Sequence, residues 1–215
     1  MEAQAALRLP SKTFADVPVM IRDHTLHLLI AHPTPPSFDG PEDRNGKRNH
    51  DEIRLIAEYI SSQKQEWLRD DDGQRGGLAQ DEAFVIAGDL NADPLDTPAP
   101  EQTNPHAIAA LIDHPRVTDP QPKSAGGRDT ALRQKGRNQT HRGDPALDTS
   151  DYYDRTVGNL RADYVLPSSN LTVIDSGVFW PVPGEPGYRW VGRGYPKVSS
   201  DHRLVWVDIA WPGAR

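Results

Sequence analysis

The feature that most limits the fold of this chain is the spacing of its apolar runs. Consecutive runs near the C-terminus, such as residues 162–166 and 171–178, leave no room for crossover helices. Parallel neighbours need a crossover of about a dozen residues or more. The runs therefore predict largely antiparallel sheet and an α+β fold, not a doubly wound nucleotide fold. The sequence also lacks a GxGxxG or Walker A motif. Upstream, residues 17–22 and 25–31 are β-rich, with a turn at Asp23–His24 between them, and predict a hairpin. Residues 83–87, AFVIA, form a short continuous apolar run of the kind found in a fully buried central strand. Residues 204–209 alternate poorly, which predicts a last strand buried on both faces.

Helical spacing is limited to two places. Within residues 51–65, Ile53, Ile56, Ala57 and Ile60 fall on one face, and residues 105–115 make a short helix closed by Pro115. Residues 33–50 and 118–160 read as long loops. Twenty prolines and seventeen glycines in 215 residues suit short elements joined by irregular segments. Hydrophobic residues make up 36% of the chain, enough for one core because they cluster.

Charge and composition exclude several functions. The formal net charge is -7, so tight non-specific binding along a nucleic acid backbone is not the default, although engagement of a nucleic acid phosphate through a metal stays open. Within residues 121–145 six Lys or Arg face two Asp, a local basic excess that could attract an anionic substrate. No cysteine is present, which removes disulfides, thiolate zinc sites and cysteine nucleophiles. No HExxH spacing marks a zinc hydrolase. No run reaches membrane-spanning length, and residues 1–10 do not read as an export signal. The chain as given reads as cytoplasmic, and a longer parent protein could be secreted.

The candidate chemistry lies at strand ends. After the buried run, Gly88 releases the chain into Asp89, Leu90 and Asn91. Asp89 and Asn91, two apart, can point the same way from extended backbone; a strand-ending β-turn explains them as well. Asp201 and His202 precede the last strand and supply a hard oxygen ligand and an acid or base working near neutral pH; a solvated turn is the bland alternative. Asp163 enters a buried strand and needs a partner, either a histidine imidazole or the adjacent Arg161. His32 ends a strand before a proline-rich segment. Arg44, Lys47, Arg48 and His50 are candidates for substrate contact within the same segment, where a solvated loop also explains them.

Four motifs, in order, resemble the endonuclease/exonuclease/phosphatase superfamily: IAHPTPP at 30–36, VIAGDLNADP at 85–94, LRADYVLPS at 160–168 and VSSDHRLVWVDI at 198–209. That superfamily includes DNase I-like nucleases, abasic-site endonucleases, sphingomyelinases and inositol-phosphate phosphatases. The resemblance implies part of a four-layer α/β-sandwich, α+β in class, with mixed, mostly antiparallel sheets and outer helices. It implies Mg²⁺- or Mn²⁺-dependent hydrolysis of a phosphate ester, with a phosphodiester favoured, by in-line attack of water. In that frame Asp89 resembles the aspartate that binds or positions the water, and Asn91 the asparagine that contacts the phosphate and orients Asp89. His32 resembles a phosphate-binding histidine, Asp201 a metal-associated aspartate, His202 the catalytic histidine and Asp163 its carboxylate partner.

The resemblance also implies an earlier half of comparable length, carrying an asparagine and a principal metal-ligating glutamate. Glu2 stands in a different context, and Glu52, Glu58 and Glu66 read as the polar face of the helix or its surroundings. Residues 1–12 then read as a leader or remnant helix, and 13–211 as the C-terminal portion of the domain. The expected consequence is a weak or inactive chain with uncovered apolar faces, which a second copy or a separately encoded first half would cover. The alternative function is a non-catalytic remnant or interaction module that keeps the fold motifs.

Overall fold

The computed structural model describes residues 7–61, 65–97, 107–193 and 196–212. The first half of the 1–12 leader expectation, Glu2 and the first two residues of the expected 105–115 helix lie outside them.

Two strands, β1 (Thr13–Ile21) and β2 (His24–His32), form an antiparallel hairpin from Thr13 opposite His32 to Ile21 opposite His24. Its turn falls one residue earlier than expected, and Arg22 takes a left-handed φ of 56° there. Helix α1 (Arg44–Tyr59) then crosses to β3 (Ala83–Asp89), which runs parallel to β2. The other edge of β3 pairs antiparallel with β6 (Asp163–Pro167). The result is a four-stranded sheet in the order β1-β2-β3-β6. Two short strands, β4 (Ser150–Asp151) and β5 (Asn159–Leu160), make a small ribbon, and β7 (Thr172–Phe179) and β8 (Leu204–Ala210) make a second one.

Alternation along the strands separates two apolar clusters. Leu29, Phe84, Ile86, Tyr164 and Leu166 face one way and pack against Ile53 and Ile56 of α1 and Ile108 and Leu111 of α2 (Ala107–Ile112). Val85 and Leu28 face the other way and pack with Leu171, Ile209 and Trp211, at and beside the β7–β8 ribbon. The expectation that the last strand is buried on both faces fails: no residue of β8 is fully buried, and among the described residues it pairs with β7 alone.

Two expected loops contain regular structure. The segment 33–50 is a loop only to Asp43, since α1 begins at Arg44. Its start is held by Asp39, whose carboxylate accepts the N–H groups of Asn45 at 2.5 Å and Gly46 at 3.1 Å. Those are orphan donors of a first helical turn. The helix ends at Tyr59, not Gln65, and Tyr59 O takes the Leu78 N–H at 2.7 Å. Within 118–160 lie α3 (Ala125–Gln134), two short 3₁₀ turns and the β4–β5 ribbon. The basic excess there is partly neutralised: Lys123 and Arg128 pair with Asp144, and Arg133 pairs with Asp129. A last short helix, α4 (Tyr188–Val191), precedes β8.

Candidate active site

Asp89 ends β3 and Asp163 begins β6, and the antiparallel register sets them directly opposite. Like charges in that position destabilise a sheet unless something compensates. Backbone geometry makes the approach possible. Gly88 has a φ of 154°, and a Cβ there would lie 1.9 Å from Ala31 O, so only glycine lets β3 close on β2 at this point. Asn91, at a left-handed φ of 52°, turns its N–H back to Asp89 Oδ1 at 2.9 Å. Its side-chain amide donates to Pro33 O at 3.1 Å, tying the segment after β3 to the segment after β2.

His202 arrives by a backbone ladder. Asp151 N donates to Asp201 O at 2.7 Å and Arg203 N to Thr149 O at 2.8 Å, so Ser150 and His202 face each other as a close antiparallel pair. The imidazole Nδ1 then lies 3.0 Å from both carboxylate oxygens of Asp163. Arg161, the competing partner, goes instead to Asp119, with Nη1 2.8 Å from Oδ2. Asp163 Oδ2 is further fixed by the Thr149 hydroxyl at 2.9 Å and the Ser150 hydroxyl at 3.0 Å. Nε2 of His202 faces Asp89 Oδ2 at 3.9 Å and the Tyr152 hydroxyl at 3.4 Å, with the two rings edge to face.

The electrostatics follow from this crowding. Burial, and then the charge of Asp163, raise the Asp89 carboxyl above its ordinary value. The hydrogen bond that the His202 imidazole donates to Asp163 raises its pKa. Burial, reinforced by Asp89, raises the Tyr152 phenol, so it stays a neutral donor. Asp89, Asp163 and His202 offer ligand atoms within 4.8 Å of one another, a grouping that could hold a metal ion. The donor set fits a hard cation: two carboxylates stand opposed on facing strands, and burial and then the charge of Asp163 raise Asp89.

The structure thus brings together Asp89, Asn91, Asp163, His202 and His32, whose Nε2 lies 3.5 Å from Asp89 Oδ2. Asp201 is exposed and stands outside the ligand grouping, although its carbonyl helps hold β4. Arg44, Arg48 and His50 sit on α1, not on a loop. Arg48 is engaged with Glu52 and with Leu9 O, and His50 lies 3.4 Å from Asp51. Glu52 is not on the polar face of the helix. It is 4% exposed, and its carboxylate is occupied by Ser11 N, Thr34 N and Arg48. Thr149, Ser150 and Tyr152 escaped the sequence analysis. The alternating polar run TSDY could have drawn attention to them only through its proximity to Asp163 in the fold.

The model of the endonuclease/exonuclease/phosphatase family matches residues 10–202. The chain belongs to that family. Its fold is part of the α+β sandwich of DNase I-like proteins. An endonuclease/exonuclease/phosphatase protein from Beutenbergia cavernae is 19% identical with a TM-score of 0.51, over 93% of this chain and 39% of that one. A family protein from Leptotrichia buccalis is 15% identical with a TM-score of 0.46, over 92% and 53%. A 3′ phosphatase from Neisseria bound to a product DNA hairpin is 17% identical with a TM-score of 0.46, over 90% and 64%. The chain therefore spans between about two fifths and two thirds of the length of these three structures. No curated protein matches the sequence.

Proposed function

We propose that this chain hydrolyses a phosphate ester, and specifically a phosphodiester, by in-line attack of water with the help of a divalent cation, Mg²⁺ or Mn²⁺. The observation that carries the proposal is the opposed pair Asp89 and Asp163 with His202 Nδ1 bonded to the latter. Asp89 Oδ1 is occupied by the Asn91 N–H, which leaves Oδ2 to accept a proton from the attacking water. Its raised pKa makes it a better base than an ordinary aspartate. His202 is held by Asp163 with Nδ1 as donor, so Nε2 points toward Asp89 and carries the second proton of an imidazolium. That charge stabilises the phosphoryl oxygens or protonates the leaving oxygen. Tyr152 adds a neutral hydroxyl donor beside it.

Asp89 and Asp163, with the imidazole of His202 beside them, would hold the cation. When bound it supplies charge neutralisation at the phosphoryl group. The diester preference comes from the family resemblance and from no contact in the site.

The test is turnover of bis-p-nitrophenyl phosphate during Mg²⁺ and Mn²⁺ titration. We expect metal-dependent hydrolysis, abolished by Asp89→Ala and lowered about 10²–10⁴-fold by His202→Ala. Turnover insensitive to both substitutions, or absent at every metal concentration, would leave the non-catalytic module. A panel of DNA, RNA, lipid-headgroup and small diesters at one metal concentration then orders the substrates.

A further inference from the structure

One cation stands at the edge of the cluster without a part in the chemistry above. Lys12 Nζ lies 2.8 Å from His32 Nε2, the same nitrogen that approaches Asp89 Oδ2.

An exposed lysine ordinarily samples many rotamers, but the backbone that carries Lys12 is pinned. Ser11 N donates to Glu52 Oε1 at 2.6 Å, and the hydroxyls of Ser11 and Thr34 are 2.6 Å apart. Arg48 Nη2 donates to Leu9 O at 3.1 Å. Glu52 Oε2 takes the Thr34 N–H, two residues beyond His32. A single buried carboxylate thus fixes the residue before Lys12 and the segment that follows His32. Burying such a charge is costly unless several donors meet it, and here two backbone N–H groups and a guanidinium do.

We propose that Lys12 is a substrate-binding residue whose ammonium takes a non-bridging phosphate oxygen, and that Glu52 is the residue that positions it. The proposal rests on the phosphoesterase reading of the same site. Asp89 and Asp163 repel an anionic substrate, and a fixed ammonium at the rim offsets that repulsion. A phosphate oxygen is a charged acceptor, and a charge-assisted hydrogen bond to an ammonium is among the stronger kinds. Lys12 therefore exchanges His32 for the substrate with no movement of the main chain.

The experiment is calorimetric binding of inorganic phosphate to the full chain at fixed Mg²⁺, beside the kinetics of diester turnover. Lys12→Met is expected to weaken phosphate binding about tenfold and raise KM similarly, with kcat little changed. Lys12→Arg should keep most of the affinity. Arg75→Met, on an exposed arginine that donates to Glu66 O, should change neither quantity. Glu52→Gln should weaken phosphate binding in the native background and add little in the Lys12→Met background, because both act through one ammonium. Additive losses would make Glu52 a scaffold residue only and overturn its part. Unchanged phosphate affinity in Lys12→Met, or no phosphate binding by the native chain, would overturn the assignment of Lys12. If phosphate binding depends on Lys12 while no turnover occurs, the phosphoesterase reading fails and the binding assignment stands. Turnover that ignores Lys12 gives the reverse result.

Discussion

Asp148 is buried, and burial together with the charges of Asp93, Asp96 and Asp144 pushes its carboxyl up to about 8. The folded state therefore holds a proton that the unfolded chain releases near its ordinary value of 3.8. Where the native state binds more protons, stability falls as pH rises. This group's contribution is complete below 3.8, declines across the interval and is gone above 8. Asp148→Asn should raise the unfolding midpoint at pH 8 more than at pH 5, measured by thermal denaturation, and equal shifts at both would refute it. A second test at this scale concerns His202. Asp163→Asn removes the charge that raises the imidazole, so an NMR titration of its ring proton should move downward; an unmoved midpoint would mean the pairing has no electrostatic weight. The sequence made Asp89, Asn91, Asp163 and His202 visible because each flanks an apolar run. Lys12, Thr149 and Ser150 were not visible, because what singles them out is a contact with a residue distant in the chain.

Gly88 illustrates what an element requires of a single position. It read as the point where β3 lets go of the chain, yet it remains paired with Tyr164, and the strand continues to Asp89. A methyl group at this position meets Ala31 O, so Gly88→Ala must push β3 from β2. The expected cost is about 1–3 kcal/mol by denaturant unfolding, with activity lost disproportionately because Asp89 shifts with the strand. Native stability and turnover in that variant would contradict the close approach. Apolar periodicity located β1–β3, β6–β8 and the second half of α1, but not the short β4 and β5. It missed the first turns of that helix, Arg44 to His50, because no large apolar residue occurs there. What those turns bury is Gly46 and Asn49, and Asn49 donates its amide to Thr34 O and Leu90 O. Buried polar anchoring of this kind leaves no periodic trace.

Across the whole molecule the two faces of the four-stranded sheet are covered unequally. One is roofed by α1 and α2. On the other, Val17, Val19, Ile21 and Ile30 remain between 37% and 41% exposed, beyond the reach of the β7–β8 ribbon. An apolar strip of this kind favours association. We expect the purified chain to sediment above its monomer mass and to bind Mg²⁺ weakly by calorimetry, and a compact monomer with tight Mg²⁺ binding and Asp89-dependent turnover would refute both. The polypeptide's route through the sheet has a temporal consequence. The β1–β2 hairpin closes over two residues, whereas Asp89 and Asp163 meet only when β3 finds β6 across a long intervening stretch of chain. Distant pairings form late, since closing a large loop costs entropy before its contacts repay it. On dilution from urea, hydrolysis should consequently return after the far-ultraviolet dichroism does, and simultaneous recovery would contradict that order. On the proposed function, the Asp89–Asp163 pair then acts as a timestamp on maturation: a newly made chain would become reactive only once its longest-range strand pairing is in place.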